Sequence, residues 1–167
     1  MVNSMPTRFF ALCLLFAFAC WNDVAYAART FTVTQSPANG TALPMGSTQT
    51  LSYQITSSML NGGDVGRCLY KVQLTTNGTY STLLGSTSGP AGWTRTKISA
   101  TSVTFQVSSL ASALAVGGSA SFNLAMAMVA ASADLSATLT SVRAFYTNTA
   151  CSATSATKTT LNNPGSW

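Results

Sequence analysis

The feature that most constrains the fold is a two-residue alternation of apolar and polar side chains that recurs along most of the chain. Residues 51–55 read Leu-Ser-Tyr-Gln-Ile, and residues 103–107 read Val-Thr-Phe-Gln-Val. Successive side chains of a β-strand point to opposite faces, so each such run can bury one face and leave the other in solvent. Further candidate strands lie at 31–34, 68–74, 79–84, 93–98, 122–128 and 139–147.

Seven to eight short strands separated by turn residues predict an all-β, antiparallel β-sandwich. The strand pattern from Phe31 to Thr147 resembles that of the immunoglobulin-like domains of secreted and surface proteins, which implies an immunoglobulin-like architecture. The resemblance includes no specific motif: no Trp follows Cys68 at the usual strand position, and no Tyr lies two residues before Cys151. Because a shared architecture does not determine function, the resemblance predicts the fold only.

One turn has a specific sequence signal. Asn77-Gly78 separates the candidate strands at 68–74 and 79–84. Asn and Gly both accept the positive φ of a type I′ turn, so the dipeptide predicts a hairpin between these two strands.

Two other segments have distinctive compositions. Arg95 and Lys97 lie in the strand predicted at 93–98, and such charges are typical of edge strands because they discourage unwanted pairing. Residues 122–128 contain Ala and Met, which favour a helix, so a helix is an alternative there. The alternation and the preceding Gly117-Gly118 favour a strand.

The N-terminus has the three parts of a cleaved secretory signal peptide. Arg8 precedes an apolar run at 9–21, which is too short for a comfortable membrane span of about 20 residues. Ala25-Tyr26-Ala27 then predicts cleavage before Ala28. Two alternatives are an uncleaved anchor and a lipoprotein lipidated at Cys20.

The sequence thus predicts a signal peptide at 1–27, a β-sandwich domain at 28–150 and a loosely ordered C-terminal tail at 151–167. The tail is predicted because it is rich in Ser, Thr, Asn and Gly. Contact with a membrane is expected only through the signal peptide, before it is cleaved. The mature protein is expected to be secreted, periplasmic or on the cell surface.

Two cysteines remain after removal of the signal peptide. Cys68 and Cys151 are expected to form a disulfide, because an exported chain meets an oxidising environment. Two buried free thiols are the alternative.

Residues suited to catalysis are scarce. The chain contains no His and no Glu, and Asp64 and Asp134 are the only carboxylates outside the signal peptide. Both lie in predicted turns, where Asp commonly forms local hydrogen bonds. We therefore expect no catalytic residue, no metal site and no cofactor. Ser–Lys catalysis is the one enzymatic alternative that the composition permits.

The net charge is +5, and the basic residues are dispersed along the sequence. A nucleic-acid-binding protein usually concentrates basic residues in a stripe, so no nucleic acid is expected as a partner. The excess of basic over acidic residues indicates either a charge that favours solubility or a mild preference for anionic surfaces such as lipopolysaccharide or glycans.

These observations favour a non-enzymatic structural or adhesive component of a surface assembly, with a protein partner or self-assembly. The alternating segment Ala28–Ser36 is the candidate for strand exchange between chains. The alternative is an extracellular ligand-binding module, most plausibly for carbohydrate, with Trp93 and Tyr80 as possible ligand contacts. Burial of Trp93 in the core is the competing interpretation of that residue.

Overall fold

Nine strands make up most of the part of the chain that the structure describes. This structure is a computed structural model, and it describes residues 31–37, 41, 43–58, 65–78, 81–129 and 139–162, with the backbone alone for 156–162. The strands are β1 (Phe31–Ser36), β2 (Thr48–Ser57), β3 (Leu69–Thr76), β4 (Ser81–Leu83), β5 (Trp93–Ile98), β6 (Ser102–Val107), β7 (Ser119–Met128), β8 (Leu139–Thr147) and β9 (Thr154–Asn162), and a single 3₁₀ turn spans Leu110–Ser112.

The strands form two sheets. One has four strands in the order β1-β2-β7-β4, and the other has five in the order β5-β6-β3-β8-β9. Every pairing within them is antiparallel. The predicted all-β antiparallel sandwich is therefore confirmed, with nine strands in the described residues where seven to eight were expected. The predicted signal peptide at 1–27 lies outside those residues.

The core lies between the sheets and is formed by alternate side chains. In β2, Leu51, Tyr53 and Ile55 are buried, while the residues between them are half-buried or exposed. Aromatic rings join the two layers: Phe122 of the four-stranded sheet lies 5.0 Å from Phe105 of the five-stranded sheet, measured between ring centroids. Each fully buried aromatic or aliphatic side chain contributes about 2 kcal/mol, so this contact between sheets is the main source of stability.

The segment with conflicting signals is a strand. β7 pairs with β2 on one side and with β4 on the other. Phe122, Leu124 and Met126 are fully buried, as the alternation predicted. The helix alternative at 122–128 does not hold, because burial and pairing on both sides outweigh the helix preference of Ala and Met.

The predicted hairpin at Asn77-Gly78 is wrong. β3 pairs with β6 and β8, whereas β4 pairs with β7 in the other sheet. Both edges of β3 are therefore occupied, and the chain crosses from one sheet to the other after Gly78. The type I′ turn is absent as well, because neither Asn77 nor Gly78 has the positive φ that such a turn requires.

The C-terminal segment also differs from expectation. A loosely ordered tail was predicted from residue 151, but residues 154–162 form β9, which pairs with the edge of β8. This segment is rich in Thr, whose branched side chain favours strands. The hydroxyl of Tyr70 on β3 donates to the carbonyl oxygen of Ser155 at 2.9 Å, which fixes the start of β9 against the sheet.

The predicted disulfide between Cys68 and Cys151 is confirmed, with 5.4 Å between the two Cα atoms. It connects the residue before β3 to the turn between β8 and β9. Beside it, the amide of Cys68 donates to Thr147 Oγ1 at 2.8 Å, and Arg67 Nη1 donates to the carbonyl oxygen of Thr147 at 2.7 Å. Asn148 Oδ1 accepts from the amide of Ser152 at 2.9 Å, which stabilises the turn.

We expect the double variant Cys68→Ala/Cys151→Ala to be less stable than the parent by about 4 kcal/mol. The disulfide spans 83 residues, and closing a loop of this length restricts the unfolded chain by about that amount. The measurement is the free energy of unfolding in urea for the oxidised parent and the variant. Equal free energies would contradict the assignment of this disulfide as a main constraint on the unfolded state.

Candidate functional surface

The basic residues in the described part of the chain lie on or beside one sheet. Five lie on strands of the five-stranded sheet and one lies two residues before β3, whereas β1, β2, β4 and β7 contain no charged residue. The described residues also contain no Asp, Glu or His. Residues that are dispersed in sequence are thus brought together by the strand order. They are Arg67, Lys71, Arg95, Lys97, Arg143 and Lys158.

Two of these cations act within the fold. Arg67 donates to the carbonyl oxygen of Thr147, as described above. Arg95 Nη1 donates to the carbonyl oxygens of Gly85 and Thr87, the second at 2.9 Å. Both guanidinium groups therefore stabilise the ends and edges of the sandwich.

Other cations lie on the outer face of the five-stranded sheet. Register places Lys97 beside Thr104, Thr104 beside Gln73, and Gln73 beside Arg143. Directly opposed residues of an antiparallel pair point to the same face, so these four side chains form one row across four strands. Lys97 and Arg143 are exposed, and Gln73 between them is half-buried.

The adjacent row contains Lys71, which pairs with Gln106 on one side and with Phe145 on the other. Lys71 Nζ lies 4.2 Å from the centroid of the Phe145 ring, a cation–π contact that holds the ammonium group against the sheet. The outer face formed by these two rows is called the basic face, and its residues are Lys71, Gln73, Lys97, Thr104, Gln106, Arg143 and Phe145.

The outer face of the four-stranded sheet has the opposite character. Thr32, Thr34, Thr50 and Gln54 are exposed and uncharged. Thr56 Oγ1 lies 2.7 Å from Ser119 Oγ of the neighbouring strand, within hydrogen-bonding distance. One side of the sandwich is therefore a neutral, hydroxyl-rich surface and the other is a basic one.

One lateral side of the sandwich is closed by side chains. β5 is an edge strand, as its Arg and Lys residues predicted. Arg95 reaches from it to the loop after β4, where Thr87 Oγ1 accepts from the amide of Ala125 on β7 at 3.0 Å. These contacts join the two sheets at that side and discourage pairing by another chain.

The other lateral side is formed by the terminal strands. The two sheets have four edge strands in the described residues; besides β4 and β5, these are β1 and β9. Among the described residues, β1 forms strand pairs with β2 alone, and it buries Phe31 and Val33 while exposing Thr32 and Thr34. Its outer edge has no partner strand in the described part of the chain.

Only one of the two predicted ligand contacts can be located. Trp93 is 8% exposed and packs edge-on against Phe122, with 5.2 Å between ring centroids. The ring is part of the core and does not present a face for stacking on a sugar. Tyr80 lies outside the described residues, as do Asp64 and Asp134.

The described residues contain no group of three or more His, Cys, Asp or Glu side chains that could hold a metal ion. Among them, no helix is long and apolar enough to cross a membrane.

Comparisons with known proteins give weak structural likenesses. No protein-family model matches the chain, and no curated protein sequence matches it. A cohesin module from a family 33 glycoside hydrolase of Clostridium perfringens is 11% identical with a TM-score of 0.45, over 80% of this chain and 95% of that chain. The sixth cohesin of scaffoldin B from Acetivibrio cellulolyticus, in complex with a Cel5 dockerin mutant, is 12% identical with a TM-score of 0.42, over 79% and 97%. At these values neither likeness bears on function.

We expect Arg95→Ala to lower the free energy of unfolding by about 1 kcal/mol, because it removes the hydrogen bonds to Gly85 and Thr87. Lys97→Ala is the matched control, since it removes a neighbouring exposed cation that has no such contact with the other sheet. Urea unfolding of both variants is the measurement. Equal losses would show that Arg95 does not join the sheets.

Burial raises the pKa of the Tyr70 phenol above its usual value of 10.0. The folded state therefore keeps this proton at a pH where the unfolded chain has lost it, and stability must fall as pH rises above 10. At pH 8 we expect Tyr70→Phe to be less stable than the parent by about 1 kcal/mol, the size of one hydrogen bond. Urea unfolding at pH 8 to 11 should show that the difference in free energy of unfolding between the parent and Tyr70→Phe becomes smaller as pH rises. A difference that stays constant over this range would contradict the raised pKa of Tyr70.

Proposed function

We propose that the chain is a non-enzymatic, extracytoplasmic β-sandwich that serves as a structural or adhesive component of a surface assembly, and that copies join by exchange of β1. The observation that supports this most directly is the asymmetry of the two lateral sides. Contacts of Arg95 close one side, whereas β1, which among the described strands pairs only with β2, contributes to the other.

The extracytoplasmic location is supported by two features. The disulfide between Cys68 and Cys151 is typical of oxidising compartments. The sequence at 1–27 has the parts of a signal peptide, and cleavage before Ala28 would leave β1 three residues from the new N-terminus. A strand at the end of a chain is tethered on one side only, so it can leave its own sheet and pair with a neighbouring copy without a long linker.

The contacts of β1 suit exchange. Phe31 and Val33 are buried, and Val33 lies opposite Ile55 of β2 in the register. Departure of β1 would uncover part of the core, and an identical strand from another copy would cover it with the same side chains and main-chain hydrogen bonds. This is strand addition at a sheet edge, in which the backbone supplies affinity and alternate side chains supply specificity.

The composition supports a role without catalysis. A chain that lacks His and Glu has few groups that can transfer protons near neutral pH. The carbohydrate-binding alternative based on Trp93 is disfavoured, because this ring packs in the core against Phe122.

Locking β1 to its own β2 should abolish assembly. Thr34 and Gln54 are exposed and directly opposed across these strands, so Thr34→Cys/Gln54→Cys is expected to form a disulfide on the outer face. We expect the mature parent to form a ladder of multimers in size-exclusion chromatography with light scattering, and the locked variant to remain a monomer.

The matched control is Thr56→Cys/Ser119→Cys. It links β2 to β7, which are both internal strands of the same sheet, and leaves β1 unrestrained. This variant should assemble like the parent. A monomeric parent at all concentrations, or a locked variant that assembles as the parent does, would remove strand exchange from the proposal.

A further inference from the structure

We propose that the basic face binds an acidic polysaccharide, a linear chain of sugar rings that bear carboxylates, through the outward side chains of Lys71, Lys97 and Arg143. The inference does not depend on exchange of β1, because that strand belongs to the other sheet. It also differs from sugar stacking on Trp93, since it uses the opposite side of β5 from the buried ring.

Charge complementarity is the first argument. The strands of the five-stranded sheet contain no carboxylate, so no acidic side chain on them neutralises Lys71, Lys97 or Arg143. The opposite outer face has no charged residue at all on its strands. The charge on the strands is therefore one-sided, and it attracts polyanions to the basic face.

The spacing of the cations suits a polymer and not a single small anion. Lys97 and Arg143 occupy one row three strands apart, which corresponds to roughly 14 Å at the usual distance between strands. Lys71 lies in the adjacent row, about 7 Å along the strand direction. Such separated positive charges on a flat surface match successive charges of an extended chain.

Polar groups lie between the cations. Gln73 and Thr104 separate Lys97 from Arg143 in their row, and Gln106 lies beside Lys71. Gln73 Nε2 donates to Ser102 Oγ at 3.2 Å, which orients this amide at the surface. Amide and hydroxyl groups both donate and accept hydrogen bonds, as the hydroxyl groups of sugar rings require.

The same surface is poorly suited to other polyanions. Single-stranded nucleic acid is held by exposed aromatic rings, and the exposed large hydrophobic residues in the described part of the chain are Met and Val only. Duplex DNA is read by an element that enters a groove, which a flat sheet face does not provide. Acidic protein partners usually need an apolar centre to the interface, and the basic face is polar apart from Phe145.

Gln73→Glu and Gln54→Glu form a matched pair for the test. Both are the same isosteric substitution and lower the net charge equally, but Gln73 lies in the basic face and Gln54 on the neutral face. The mature protein is titrated with polygalacturonate at low salt, followed by isothermal calorimetry. We expect Gln73→Glu to weaken binding at least about fivefold, the size expected for one charge beside an anionic surface, and Gln54→Glu to bind as the parent does.

A second variant keeps the test decisive if Gln73→Glu fails to fold. Lys97→Gln/Arg143→Gln changes two exposed side chains, and thermal unfolding checks that it remains folded. It should lower the slope of log affinity against log salt concentration by about one, because each contact releases fewer counterions than the ~0.7 per contact of single-stranded nucleic acid. Neutral dextran should not bind any of the proteins.

Four results would overturn the proposal. These are absence of polygalacturonate binding by the parent, equal weakening by Gln73→Glu and Gln54→Glu, binding of dextran as tight as that of polygalacturonate, and tighter binding of a DNA oligonucleotide than of polygalacturonate. Equal weakening would indicate that net charge alone drives association, and preference for DNA would identify a different class of partner.

Discussion

Burial of alternate side chains between two sheets is the constraint on which the other features of this molecule depend. Phe105 and Phe122 meet across the layers, so each strand must present its apolar residues inward and its polar residues outward. A shift of one residue would reverse the faces of a strand, and the core therefore fixes the register. The same requirement sends Lys71 and Gln73 to the outer surface, so the basic face follows from packing of the core.

The edges need separate solutions, because burial of the faces does not protect them. Arg95 and Thr87 join the sheets at one lateral side by hydrogen bonds. The disulfide to Cys151 fixes the turn before β9. In the described residues, β1 contains no Cys and is held by pairing with β2 and by its two buried side chains.

The sequence was sufficient for features that depend on local alternation, and insufficient for those that depend on the choice of partner strand. Buried positions such as Tyr53 and Phe122, and the edge position of β5, could be predicted from pattern alone. The hairpin at Asn77 failed because a turn signal does not show that β3 is already paired on both sides. The basic face was missed because Lys97 and Arg143 are distant in sequence and become neighbours in one row only through strand order.

The two proposed surfaces are compatible because they lie on different parts of the sandwich. Exchange of β1 would involve the edge of the four-stranded sheet, while the basic face lies on the outside of the five-stranded sheet. An assembly joined through β1 would therefore leave every basic face uncovered. A long polysaccharide could then contact several copies at once, and binding of one copy would raise the effective concentration of the polymer at the next. Weak attraction at each face, due to Lys71, Lys97 and Arg143, would in this way give firm attachment of the whole assembly.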